Sequence, residues 1–377
     1  MTNVYICGGG VNQKHLIDTT VQLSNINHVY VIDPVCQEYF NNYTSERFTH
    51  IKHNASDYNT LENIIIKDTH SKILITDCEV LRRGTNSLAD RLGLYNELDS
   101  AIEKFTDKYC MYKSAIDNDV PVIPTYTCPK ELINVKEFIS KPRCGCNSDG
   151  VVRCTDIPSN LNTNDIYQPV ITGTEITLEG LAIDGKHTTI ATSVKSDCDN
   201  FGVYNFQKYP TSVSTDVLRS IINHNDKYIN STGIKNTLTQ TEWLVNKHGY
   251  YLMDAACRTG TLSSRVISTM YDINVYSIYL NSIIHEPVSI DITDPEYQCA
   301  LWFPNLTHWA NRLEYLHEFY HNHSNVMYYK LYDENIKNVH NIQVKSQRHA
   351  NIVLRCSIKD NIYELKHKIH NELIANL

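Results

Sequence analysis

The residues best suited to chemistry in this chain lie in one short stretch, Ser140-Lys141-Pro142-Arg143-Cys144-Gly145-Cys146-Asn147-Ser148-Asp149-Gly150-Val151. A lysine leaves an apolar run (Val135, Phe138, Ile139) and enters a loop of small and polar residues that ends at Gly150, where Val151-Val152 begins a second apolar run. The pattern reads as strand, flexible loop, strand. Small residues let the backbone approach a ligand closely, and exposed N–H groups can point at phosphate oxygens. The lysine at the loop base adds a positive charge. This is not a Walker A loop, which needs Gly-Lys-Ser/Thr opening a helix. Taken alone, the same composition also makes a plain hairpin connection.

Other candidates are weaker. Gly8-Gly9-Gly10 follows a strand-like run, and Asp33 ends the next one, which is the outline of a dinucleotide site. The Gly-x-Gly-x-x-Gly spacing is not met, because Gln13 stands three residues after Gly10. A tight turn between strand and helix, lining a substrate pocket, is the preferred reading. Cys144, Cys146 and Cys154 do not show the Cys-x₂₋₄-Cys pairing of a structural zinc site. His317 and His321 could share a helix face, but position 320 is Tyr and the His-Glu-x-x-His arrangement is absent, so a surface helix is expected. Trp302, Trp309, Phe319 and Tyr320 are expected in a core or an interface rather than as a base-stacking platform.

At 377 residues, with 42% hydrophobic and 20% charged residues, the chain can build two or three domains with substantial cores. A net charge of −8 argues against bulk binding to nucleic acid or to an anionic membrane, while leaving room for a local basic cleft. Met1-Thr2-Asn3 passes straight into the strand-like Val4-Tyr5-Ile6, without a basic leader or long apolar core. No run reaches the roughly 18 apolar residues that a membrane span needs. A cytoplasmic location with reduced thiols among the 12 cysteines is expected. The 25 tyrosines and abundant asparagine fit an AT-rich genome, a viral one included, in which case the location is the host cytoplasm.

The elements that must position these residues follow in order. Residues 1–104 alternate strand-like runs (Val4-Tyr5-Ile6-Cys7, Val29-Tyr30-Val31-Ile32, Lys72-Ile73-Leu74-Ile75) with helical segments at 15–23 and 88–96, the outline of a parallel α/β sheet. Gly93 closes the 88–96 helix, and a single helix is expected over 97–116. Residues 105–285 read as α+β. They hold a strand from Pro121, a strand at 174–178 returning at 188–194 across Asp184-Gly185-Lys186, a helix near 213–222, and a hairpin pairing 239–245 with 250–254. Residues 286–377 carry strands near 326–331 and 351–355 and an end helix from about Asn361.

With these motifs in this order, residues 1–285 resemble the ATP-grasp superfamily of ligases. The stretch 88–96, Asp107-Lys108-Tyr109-Cys110-Met111 and Val120-Pro121-Val122-Ile123-Pro124 look like that family's entry into its ATP-binding half. The resemblance implies a Rossmann-like pre-ATP-grasp domain (1–104), then a two-lobed ATP-grasp domain (105–285; flap lobe about 120–172, catalytic lobe about 173–285), then a small C-terminal α/β region (286–377). It implies that Lys108 and Lys141 contact ATP phosphates beneath a flap of residues 144–150, with Ser148 and Gly150 at the nucleotide. Gln168 would lie in the adenine-reading hinge, Ile171 beside the base, and Glu175 on the ribose. Glu242 and Asp254 would hold Mg²⁺, with Mn²⁺ able to substitute, and Arg258 would steady the reacting phosphoryl group. The third phosphate lysine is Lys208, just before Tyr209-Pro210, or Lys195, both plausible by distance from Glu175.

Physical chemistry supports the placement of the acids and cations. A hard divalent cation wants carboxylate oxygens, and two acids facing each other across a hairpin can converge on one ion. Lysines and an arginine would neutralise charge on a transferred phosphoryl group. One departure stands out: the family commonly has Asn two residues after the last carboxylate, and this chain has Ala256. The resemblance implies a ligase that activates a carboxylate as an acylphosphate and passes it to an amine. Both substrates would be small molecules, bound between Gly8-Gly9-Gly10 and Arg258 with Arg265, and a homodimer falls within expectation. The alternative is an ATP-binding scaffold or regulatory protein that has lost turnover through Ala256; an oxidoreductase is a weaker third reading.

Overall fold

The computed structural model describes residues 2–10, 13–35, 40–132, 135–146, 148–156, 162, 164–200, 203–260, 262–340, 342 and 345–375, the side chains of 197–200, 203 and 346 excepted. Asn147 of the small-residue loop lies outside the described residues. Among them, no helix is long and apolar enough to cross a membrane.

The first unit runs β1 (Thr2–Cys7), α1 (Lys14–Gln22), β2 (Ile26–Asp33), β3 (Phe48–Lys52), α2 (Tyr58–Ile65), β4 (Lys72–Ile75) and α3 (Glu79–Arg91). Its four strands are parallel in the order β3-β2-β1-β4. Val4, Ile6, Val29 and Val31 are buried on one side and Tyr5, Cys7, Ile32 and Leu74 on the other, as expected for strands covered on both faces. Gly8, at φ +87, turns the chain out of β1, and Gly9 donates its N–H to Asp33 at 2.5 Å. A side chain at Gly9 would put its Cβ 2.6 Å from Phe40. Asp33 is therefore spent on holding this turn, which supports the tight-turn reading over the dinucleotide one.

The 97–116 segment forms two helices, α4 (Asp99–Thr106) and α5 (Lys108–Asp117). Asp107 breaks them because its extended backbone lets its carboxylate accept from the N–H groups of Tyr109 and Cys110, the geometry of an N-cap. A three-stranded antiparallel sheet follows, in the order β6-β5-β7: β5 (Phe138–Pro142), β6 (Val152–Cys154) and β7 (Asp165–Pro169). The loop between β5 and β6 is the small-residue stretch.

The largest element is an eight-stranded sheet ordered β12-β11-β8-β9-β10-β13-β15-β14. Its members are β8 (Thr174–Ile183), β9 (Lys186–Asn200), β10 (Val203–Tyr209), β11 (Thr237–Asn246), β12 (Gly249–Ala256), β13 (Tyr297–Trp302), β14 (Val326–Leu331) and β15 (Ala350–Ser357). Asp184 and Gly185, both at positive φ, make the β8–β9 turn. Helix α6 (Thr215–Thr232) packs Ile221, Tyr228 and Ile229 on Ile176, Leu178, Val194 and Trp243. Helices α7 (Ser263–Tyr271) and α8 (Val275–Ile283) join the sheet to the first unit, in one core with Val4, Leu16 and Ile17.

The C-terminal strands do not form a separate small sheet. β13 pairs with β10 and continues the large sheet, and α9 (Leu313–Asn322), α10 (Asp333–Asn338) and α11 (Ile362–Ile374) cover it. Trp302, Trp309 and Tyr320 lie in that core, and His317 is exposed on α9, 3.4 Å from Asp333.

Candidate functional site

Strand register puts the chemistry on one face of the large sheet. Glu242 of β11 stands opposite Asp254 of β12 and opposite Thr177 of β8. Side chains directly opposite share a face and alternate residues return to it. Glu175, Glu179, Gln240, Glu242, Leu244, Asp254 and Ala256 therefore point the same way, while Leu178, Trp243 and Ile176 point into the core against α6. On the next strands Lys195 faces Gln207, and Val194 faces Lys208. This one-residue difference puts Lys195 on the chemical face and Lys208 on the other.

The face forms one wall of a cleft of ≈ 710 Å³, whose other walls come from the β5-β7 sheet, the 170–174 hinge, α5 and the start of α3. Lys195 ion-pairs with both Glu175 and Glu242, at 2.7 Å from the latter. Burial raises the carboxyl of Glu175 above its ordinary range, against the pull of Lys195. Burial acts likewise on Glu242, but Lys195 and then Lys345 outweigh it and hold that carboxyl at about 2. Glu242 is thus ionised, and with Asp254 it offers oxygen ligands of the type a hard divalent cation takes. Ala256 offers none. The amide facing it across the ladder is Gln240, whose oxygen accepts from Arg258 at 3.0 Å.

Across the cleft, Lys141 of β5 is 8% exposed, and its ammonium group has no hydrogen-bond or ion-pair partner among the described residues. Burial lowers its pKa, against the charge of Asp254. Lys108 donates to the carbonyl of Gly145 in the loop at 2.7 Å, and its own N–H donates to Arg143. Arg143 returns to Asp107 at 2.6 Å, tying the start of α5 to the base of the loop. Burial opposes ionisation of Asp107, but Arg143 and the two N-cap N–H groups hold its pKa below the usual carboxylate range. Two ammonium groups thus converge below a Gly-containing loop, an arrangement suited to polyphosphate oxygens.

At the far end Arg258 is held by Glu79, its Nε 2.9 Å from the carboxylate, and by the carbonyl of Thr259 at 2.8 Å. Thr259 in turn donates its hydroxyl to Asp77 at 2.8 Å, and Tyr276 donates to the same carboxylate at 2.5 Å. Behind Arg258 lies Glu179, 1% exposed, which accepts from Ser263 at 2.7 Å, Gln240 at 2.9 Å and the N–H of Gly260 at 3.2 Å. A Cβ at Gly260 would come within 2.1 Å of Gln240 and 2.6 Å of Glu179, so a side chain there would displace the polar ends that make this knot. Burial pushes the Glu179 carboxyl up to about 7 despite its three donors.

Of the residues singled out from sequence, Lys108, Lys141, Ser148, Gln168, Ile171, Glu175, Glu242, Asp254 and Arg258 all line the cleft. Gln168 is buried with its amide on Thr125 at 2.8 Å, so the hinge presents Ile171 and main chain rather than a free glutamine. Three expected residues stand outside the lining. Lys208 lies on the opposite strand face, its Nζ 5.9 Å over the Tyr363 ring, and Lys195 enters the cleft instead. Gly150, at φ +71, packs on Pro142 at the rear of the loop and is not part of the lining. Arg265 turns to Asp18 at 3.4 Å and stacks on Tyr328, away from the cleft. Glu79, Glu179, Gln240 and Lys345 were missed. Glu79 was readable as the acid just past a strand end, two residues after Asp77; Lys345 carries no local signal.

Residues 105–207 match the ATP-grasp domain family. No curated protein matches the sequence. Among solved structures, the chain is similar to L-amino acid ligase from Bacillus licheniformis (TM-score 0.77, 16% identity, 98% of this chain and 97% of that one). It is also similar to phosphoribosylglycinamide synthetase from Anaerococcus prevotii (TM-score 0.74, 14% identity, 98% of each chain). A third is carboxyaminoimidazole ribonucleotide synthase from Aspergillus clavatus complexed with ATP (TM-score 0.73, 13% identity, 94% and 93%). At these identities the likeness is one of fold, and it runs nearly end to end. Nothing in these matches speaks for a viral source.

Proposed function

We propose that this chain, whose residues 105–207 match the ATP-grasp domain family and whose fold is that of several ligases, is an Mg-ATP-dependent ligase that joins a small-molecule carboxylate to an amine. The observation that carries the reading is Lys141, a buried ammonium group without an anionic partner, set beside Lys108 in a cleft whose opposite wall carries Glu242 and Asp254. A buried cation is costly unless it is paired, so this pocket asks for an anion. The triphosphate of ATP supplies one, with the base against Ile171 and the hinge main chain and the ribose at Glu175.

Glu242 and Asp254 suit Mg²⁺, which would neutralise phosphate charge and orient the terminal phosphoryl group. The chain's own part is positioning and charge stabilisation. Lys108 and Lys141 hold phosphate oxygens, and the loop of residues 144–150 covers them and limits access of water. Arg258, pinned by Glu79 and Gln240, faces the point where the substrate carboxylate would attack the γ-phosphorus. That attack forms an acylphosphate and releases ADP; an amine then displaces phosphate and leaves an amide. The likeness to an L-amino acid ligase makes amino acids the first carboxylates to try.

A second reading, an ATP-binding regulatory or scaffold protein, draws on Ala256. The position offers no oxygen ligand, and the amide across from it is engaged by Arg258. ATP calorimetry combined with ADP-release assays separates the two. ADP formed in step with amide product supports the ligase; tight ATP binding without ADP across a broad panel of acids and amines supports the scaffold.

A further inference from the structure

The cations of the cleft differ in how their charge is met. Lys108 has the Gly145 carbonyl, Arg258 has Glu79, and Lys195 has both Glu175 and Glu242. Lys345 belongs to a short turn of 3₁₀ helix (Lys345–Gln347) in the C-terminal region, and among the described residues its ammonium group has neither a hydrogen bond nor an ion pair. Its Nζ lies 5.5 Å over the ring of Tyr204, and the Nζ of Lys195 lies 4.8 Å over the same ring. Arg348 fixes this arrangement, its guanidinium 3.5 Å from the Phe303 ring centre and donating to the Tyr204 carbonyl at 2.9 Å. Tyr204 is thus a shared platform that brings two ammonium groups to one end of the cleft, beside two carboxylates.

The local charge balances: two carboxylates, two ammonium groups. That balance cannot survive loading of the site, because a divalent cation on Glu242 would stand next to an ammonium group only 2.7 Å from the same carboxylate. We propose that Lys195 and Lys345 are exchangeable counter-ions. Without nucleotide they would neutralise Glu175 and Glu242; once Glu242 is taken into metal coordination, they turn to phosphate oxygens. Lys345 is then a nucleotide ligand supplied by the C-terminal region. The flexible four-carbon stem of lysine allows the turn. This inference rests on the ATP reading given above.

Calorimetry on the full chain with Mg-ATP, with adenosine and with Mn²⁺ alone tests it. Lys345→Met is expected to weaken Mg-ATP binding by about 10-fold, the worth of one charge-assisted hydrogen bond, and to leave adenosine binding unchanged. Lys195→Met is expected to weaken Mg-ATP similarly but to tighten Mn²⁺ binding in the absence of nucleotide, because a competing cation is gone. A purely structural role would shift all ligands in the same direction. Should either Met variant fail to fold, the corresponding Gln variant, which keeps a polar head without the charge, carries the same expectations. A wild-type chain without Mg-ATP affinity would overturn the nucleotide reading itself. Wild-type binding together with unchanged Mg-ATP affinity in Lys345→Met, or weakened Mn²⁺ binding in Lys195→Met, would overturn the counter-ion inference alone.

Discussion

Lys141 and Glu179 are buried ionisable groups that cost the fold stability, and they make opposite kinds of prediction. Lys141→Ala removes a buried, unpartnered charge, so its melting temperature should be equal to or above that of the wild type. The same change should reduce ADP formation at least about 100-fold, because charge on the transferred group loses a fixed counter-charge. Differential scanning calorimetry and an ADP assay on one preparation check both halves. Glu179 has a folded pKa of about 7 against an ordinary value of 4.5. A raised carboxyl pKa means that the folded state keeps a proton the unfolded chain has lost. Its contribution to stability is therefore present at low pH and falls as pH rises from about 4.5 to about 7. The loss across that window should be about 3 kcal/mol. It should disappear from the difference between pH 5 and pH 8 denaturation curves in Glu179→Gln.

The elements explain what was legible in the sequence. The alternating strands of the first unit, the β8–β9 and β11–β12 hairpins and the loop after Lys141 were readable because each carries a period or a turn signal in consecutive residues. Distance along the chain leaves Lys195 and Lys208 open because it ignores strand parity: only the register of Lys195 with Gln207 shows which lysine shares a face with Glu242. The break at Asp107 was hidden inside a helical pattern and becomes clear once its carboxylate is seen to cap α5. Lys345 and the Glu179 knot depend on contacts between segments far apart in sequence, which local patterns do not encode. The Asp107 cap gives its own prediction. Asp107→Ala loses two capping bonds and strands Arg143, so it should destabilise the protein by about 2 kcal/mol. It should also weaken Mg-ATP binding, since Lys108 follows directly and the loop base would no longer be tied to α5. Urea denaturation and ATP titration read the two effects.

For the whole molecule, the large sheet spans what sequence alone divides at residue 286. β13 covers the edge of β10 with pairs from Phe206–Trp302 to Tyr209–Cys299, and the C-terminal core buries Phe206, Ala300 and Trp302 together. A chain ending at residue 285 should expose that edge and aggregate rather than fold, as size-exclusion chromatography would show. The first unit is tied in just as firmly, through Arg82 to Thr237 at 2.7 Å, Glu97 to the N–H groups of Lys235 and Asn236, and Asp77 to Thr259 and Tyr276. These bonds bring Glu79 to Arg258 at one end of the cleft. The central claim is that ATP bound there is spent on activating a carboxylate. Its most direct test incubates the protein with Mg-ATP and a panel of ¹⁸O-carboxylate-labelled amino acids and amines, then analyses the released phosphate by mass spectrometry. Transfer of one ¹⁸O from carboxylate to phosphate, with ADP equal to amide formed, is the predicted result; bound ATP that yields no ADP, or phosphate that carries no label, would contradict it.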